Sequence, residues 1–81
     1  MKTLVIFDIT EDKLRNKIGE VCKDNGLMRI QKSAFEGKIN LVRREKLIKD
    51  LRKTVFRKRD LSVIIYEICD KDYKRRIEIL K

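Results

Sequence analysis

One carboxylate stands where sites are commonly built. Asp8 closes an apolar run, Leu4-Val5-Ile6-Phe7-Asp8-Ile9, just ahead of helix-forming residues. The rest of the chain is basic: 22 Lys and Arg against 13 Asp and Glu, a formal charge of +9, and no histidine. An acid at a strand end in so cationic a chain suits a divalent ion facing a phosphodiester. Mg²⁺ is typically held by one or two carboxylates together with waters and phosphate oxygens. One acid is half of such a site. A two-fold axis near the strand end would supply the second Asp8, because an isologous interface repeats the same patch. Mg²⁺ or Mn²⁺ shared between the two Asp8 carboxylates of a dimer would relieve their repulsion and activate a water. The competing reading of Asp8 is structural: such a carboxylate often accepts backbone N–H groups of the following helix.

The residues that are missing narrow the chemistry further. Histidine, the commonest general base near neutral pH, is absent, and no cysteine is placed as a nucleophile. Hydrolysis would therefore rely on metal-activated water. Cys22 and Cys69 both fall among apolar neighbours and read as small buried hydrophobes. Two lone cysteines without histidine make no zinc motif. The chain has no membrane-length apolar run and no signal-peptide pattern, so the expected location is cytoplasmic, with no membrane partner and with reduced thiols.

These side chains need elements to hold them. Lys2 to Ile9 is nearly continuous apolar and β-branched, the pattern of a central strand buried on both faces. Thr10 is placed to cap a helix with Glu11 and Asp12 in its first turn. Leu14, Ile18, Val21 and Cys22 then share one helical face, and Asn25-Gly26 stops the helix. Residues 27–39 read as extended, either one strand bent near Lys32-Ser33 or two strands broken there. Asn40 is a cap for a second helix running to about Phe56. Leu61 to Ile68 is a strongly apolar strand, Asp70 to Lys74 a polar connection, and Arg76-Ile77-Glu78-Ile79-Leu80 alternates like a strand with one solvated face. This order predicts one α+β domain over residues 1–81, a ferredoxin-like β-α-β-β-α-β sandwich with an extra C-terminal strand. That strand would pair within the chain or cross to a second subunit at a dimer interface. A domain this short buries only about 60–65% of its unfolded surface, and dimerisation is a usual remedy.

The second helix carries a separate signal. Leu47, Ile48, Leu51 and Val55 fall within an arc of about 100°, while Arg43, Lys46, Lys49, Lys53 and Arg57 fall within another of about 120°. Residues 43–60 hold nine basic and three acidic side chains, so two thirds of the net charge lies in this one segment. The row, extended by Lys58 and Arg59, would track the backbone of duplex DNA or RNA. It would position nucleic acid without reading sequence.

Four segments, in order, resemble a known family. They are Phe7-Asp8-Ile9-Thr10 with Leu14-Arg15-Asn16-Lys17; Gly26 to Gly37, containing Gln31-Lys32-Ser33-Ala34-Phe35-Glu36; Ser62 to Tyr66; and Arg75 to Leu80. Together they resemble the CRISPR-associated Cas2 family, the small partner of the spacer integrase. The resemblance implies a ferredoxin-like homodimer that bridges CRISPR integrase subunits during spacer acquisition. It also implies, in some members, a metal-dependent endonuclease acting on RNA or DNA. It maps the proposed metal ligand to Asp8, the helix arginine to Arg15, the second-strand arginine to Arg29 and the aromatic to Phe35. Lys17 stands where some relatives have arginine, which keeps the charge but loses bidentate phosphate geometry. Arg15 and Arg29 would hold phosphate oxygens, Ser33 would donate to a phosphate or to Asp8, and Phe35 would pack the core or stack on a base. Two rivals stand beside this reading. One is a toxin-type ribonuclease of related fold. The other is a ferredoxin-like ligand-binding regulator, which would not need the cationic row, and the chain has no Gly-rich ligand loop.

Overall fold

The apolar run around Val5 becomes strand β1 (Lys2–Asp8) in a computed structural model that describes residues 1–81. It is followed by helix α1 (Asp12–Asp24), strands β2 (Met28–Gln31) and β3 (Ala34–Gly37), helix α2 (Leu41–Thr54), strand β4 (Ser62–Ile68) and a short helix α3 (Asp70–Tyr73). The strands form one antiparallel sheet in the order β2-β3-β1-β4. This is the expected ferredoxin-like α+β sandwich, with β1 central and both long helices on one side.

Alternation along β1 decides what is buried. Thr3, Val5 and Phe7 point into the helix layer; Leu4, Ile6 and Asp8 belong to the other face. The core packs Val5, Phe7 and Phe35 against Leu14, Ile18 and Cys22 of α1 and Leu47 and Leu51 of α2. The Phe7 and Phe35 rings stack with centroids 6.0 Å apart. Gly19 lets α1 approach closely: a Cβ there would lie 3.1 Å from Arg29 and 3.2 Å from the Phe35 ring.

Several sequence expectations need correction. The strand read as buried on both faces is covered on one only. Ile6, Ile30, Ile64 and Tyr66 remain substantially exposed on the side away from α1 and α2, where only the short α3 lies beside the sheet at one end. Thr10 does not cap α1; Glu11 holds the cap position without a side-chain hydrogen bond. Asn25-Gly26 does end that helix, with Gly26 at φ +90°. The buried Asn25 amide donates to Val21 O and to Asp50 of α2, tying the two helices. Residues 27–39 are two strands broken at Lys32-Ser33, with a register shift between Arg29 and Gln31. Asn40 caps α2 as expected, its Oδ1 accepting the Arg43 amide at 2.8 Å. The helix ends at Thr54 rather than Phe56, and a turn follows in which Arg57 and Asp60 take left-handed backbone. Cys22 is buried but Cys69 is exposed. Residues 76–80 pair with no strand of their own chain; Ile77, Ile79 and Leu80 are exposed, alongside Ile30 and Glu36.

Candidate functional site

The ends of three strands meet beside Asp8. Its cross-strand partner in β4 is Ser62, and on the other side the Phe7 amide donates to Ser33 O at 2.9 Å. Asp8 is exposed and makes no ion pair, so its carboxylate is free on the open face of the sheet. Ser33 occupies the β2–β3 turn next to it. The antiparallel register also brings the turn before β4 to this end, where Lys58 and Arg59 face Thr10 and Glu11 across a cleft. The sequence placed Lys58 and Arg59 with the helix row. The pairing of β1 with β4 is the signal that would have moved them to this end of the sheet.

The other predicted residues are differently placed. Arg15 is largely buried; its Nη1 donates to Ile9 O at 2.9 Å and its Nη2 pairs with Asp12. It braces the junction of β1 and α1, so its guanidinium is already committed. Arg29 lies on the helix side of the sheet, 5.2 Å from the centroid of the Phe35 ring. Phe35 is fully buried, so its ring offers no face to a base. Asp8 and Ser33 thus share one strand end, whereas Arg29 and Phe35 sit across the sheet from the Asp8 side chain.

Within one chain the donor set for a metal does not close: no group of three or more Asp, Glu, Cys or His residues converges. Cys22 supplies no nucleophile either, since burial pushes its thiol up to about 12.

The cationic row lies on the outer side of α2, away from Leu47 and Leu51. Arg43, Lys49 and Lys53 are exposed and make no ion pair, whereas Lys46 bonds Asp50 at 2.8 Å. That bond first, and the Asn25 amide second, hold the Asp50 carboxyl below its ordinary range. Arg57 has left the helix and sits over the Phe56 ring at 5.2 Å. Arg44 points elsewhere: its Nε donates to Glu67 at 2.5 Å, and Glu67 also accepts from Thr3 at 2.7 Å. No helix is long and apolar enough to cross a membrane.

A family model described as CRISPR associated protein Cas2 matches residues 1–76. The CRISPR-associated endoribonuclease Cas2 of Desulforudis audaxviator is 47% identical over 74 residues, covering 91% of this chain and 69% of that protein. The protein of the same name from Korarchaeum cryptofilum is 43% identical over 79 residues, covering 98% and 84%. The crystal structure of Streptococcus pyogenes Cas2 at pH 6.5 superposes over the full length of both chains, with a TM-score of 0.80 and 26% identity.

Proposed function

Because the chain belongs to the CRISPR-associated protein Cas2 family, we propose that it is a homodimeric CRISPR adaptation protein: a nucleic-acid scaffold for integrase subunits with an Asp8-centred, metal-dependent endonuclease activity. The observation that carries the scaffold reading is the row of unpaired cations, Arg43, Lys49 and Lys53, on the side of α2 opposite its core contacts. Unpaired surface cations gain most from phosphate, because no internal partner has to be released and condensed counterions leave the duplex. The uncovered apolar face supports the homodimer. A second copy laid on it would bury Ile6, Ile64 and Tyr66 and add the second Asp8 that one chain lacks.

The nuclease reading takes support from the two relatives named above, both called endoribonucleases. In this reading the Asp8 carboxylates of two copies would hold Mg²⁺ or Mn²⁺, which would supply an activated water. The chain's own residues hold the substrate: Lys58 and Arg59, at the same end of the sheet, attract the phosphodiester, and Ser33 is placed to donate to it. Arg15 keeps the Asp8 strand end fixed through Ile9 rather than touching substrate.

Two experiments separate the roles. Replacing Arg43, Lys49 and Lys53 together by Glu is expected to weaken duplex binding and flatten its salt dependence by up to about 2.7 in slope, roughly 0.9 per lost phosphate contact. Unaltered binding and slope would place the duplex on another surface. Asp8→Asn, or EDTA added to the native protein, is expected to abolish cleavage while sparing duplex binding. Full cleavage in chelator overturns the metal-dependent reading and leaves the scaffold standing.

A further inference from the structure

Phe56 keeps 68% of its surface exposed, the most of any aromatic residue in the chain. Val55, just before it, ends α2 and packs against the core, so the ring falls outside the buried stripe of the helix. A single exposed apolar residue is ordinary on a protein surface. This ring differs in its surroundings. From Leu51 to Arg59 the chain has no acidic residue and five basic ones, Arg52, Lys53, Arg57, Lys58 and Arg59. All five are exposed and none makes an ion pair. The Arg57 guanidinium carbon lies 5.2 Å from the centroid of the Phe56 ring. Adjacent residues of a continuing helix do not face each other. Arg57 instead takes left-handed backbone, with φ +64°, and Asp60 does so with φ +58°. Such backbone is uncommon for residues that carry a side chain, and it gathers at binding and catalytic sites. Here it ends the helix and lays a cation over the ring of the preceding residue. The turn then leads into β4, whose first residue, Ser62, pairs with Asp8.

We propose that Phe56 and Arg57 form a stacking site for one unpaired nucleobase, placed where the cationic row of α2 ends. The inference rests on the nucleic-acid reading above and deepens it. The α2 cations contact phosphates, which every nucleotide carries. An aromatic ring contacts the face of a base, and a base offers that face to protein when it is unpaired and splayed out. A positive track for the backbone together with an aromatic ring for the base is the combination that single-strand binding uses. A base laid against the exposed ring adds a stack to the cation–π contact already there. The site would accept any base, because each has a π-face. A protein partner is the competing occupant of an exposed ring, but five cations without an acid among them favour a polyanion.

The test measures binding of the full chain by fluorescence anisotropy with EDTA present. The probes are oligothymidylate, the same strand with abasic sugars in place of thymidine, and a blunt duplex as reference. The native protein is expected to bind the base-bearing strand about fivefold to a hundredfold more tightly than the abasic one. Phe56→Ala is expected to erase that preference. It should leave duplex affinity and the salt dependence unchanged, because no phosphate contact is lost. Arg57→Asn tolerates the left-handed backbone and should flatten the single-strand salt slope by up to about 0.7. Phe56→Trp keeps a ring and should keep the preference, and its indole, the only one in that chain, should be quenched by oligothymidylate. Equal affinity of the native protein for the two strands overturns the stacking site. A preference that survives in Phe56→Ala also overturns it and gives the exposed ring to a protein partner. Should Phe56→Ala lose duplex binding as well, the fluorescence of Phe56→Trp decides, and an unquenched indole overturns the site. A native protein that prefers the base-bearing strand but does not bind the duplex supports the stacking site and overturns the duplex scaffold alone.

Discussion

On the helix side of the sheet, Val5, Phe7 and Phe35 have 0%, 3% and 0% of their surface exposed; on the opposite side, Ile6, Ile64 and Tyr66 keep 40%, 46% and 49%. The two faces draw on the same residue types and the same strands. They differ only in who covers them. Helices α1 and α2 close the first, while the second stays open apart from the stretch beside α3. Residue chemistry therefore reports that a face is to be buried, not that its own chain buries it. A small domain with a thin core has reason to leave one face for association.

That contrast can be broken from either side. The largest effect is expected on the covered face. Phe35→Ala removes a ring stacked on Phe7 and should lower unfolding free energy by about 3–5 kcal/mol in urea titration. A loss below about 1 kcal/mol would mean that the helix layer does not depend on this ring. Next comes the open face, where Ile64→Lys should weaken self-association by about 2–4 kcal/mol, read by sedimentation. The stability of the isolated chain should move by less than about 1 kcal/mol. If the second number exceeded the first, the open face would be working as core, and the distinction would collapse. The smallest effect sharpens the contrast through pH. Burial holds the Cys22 thiol at about 12, against about 8.5 in the unfolded chain. Its stabilisation is complete below the unfolded value and is lost as pH rises toward the folded one. Between them stability should fall by up to about 1.4 kcal/mol per pH unit. Cys22→Ala should remove that alkaline slope.

Much of this architecture was legible in the residues. The apolar run of β1, the Asn40 cap and the Asn25-Gly26 stop each act through local chemistry, and each was found where expected. What was not legible depends on partners distant in sequence. The double burial expected for β1 failed because periodicity does not say which faces of a strand the chain's own helices reach. The helix expected to reach Phe56 stopped at Thr54 because of the left-handed Arg57, which hydrophobic spacing does not encode. Lys46 looked like a free cation until Asp50, one turn later, was seen bonded to it. At the candidate site, Asp8 and Ser33 stand at the same strand end, where the Phe7 amide donates to Ser33 O. Phe35 carried a family signal but fills the core. The meeting of Tyr73 and Glu36 was not legible either, since an aromatic in a polar connection and an acid in a short strand give no sign alone of lying side by side.

Glu67 accepts the Thr3 hydroxyl across 64 residues of chain, and with it β1 takes β4 as a neighbour. This sets the order of events on the ribosome. Strand β1 lies inside the sheet and cannot complete its pairing with β4 until the chain has been made past Ile68. Until then a nearly continuous apolar strand waits with one edge open. Contacts of such separation slow folding and lengthen the interval in which strand edges are free to aggregate. The basic segment between residues 43 and 60 emerges during that same interval, so charge repulsion between nascent chains arrives while β1 still needs it.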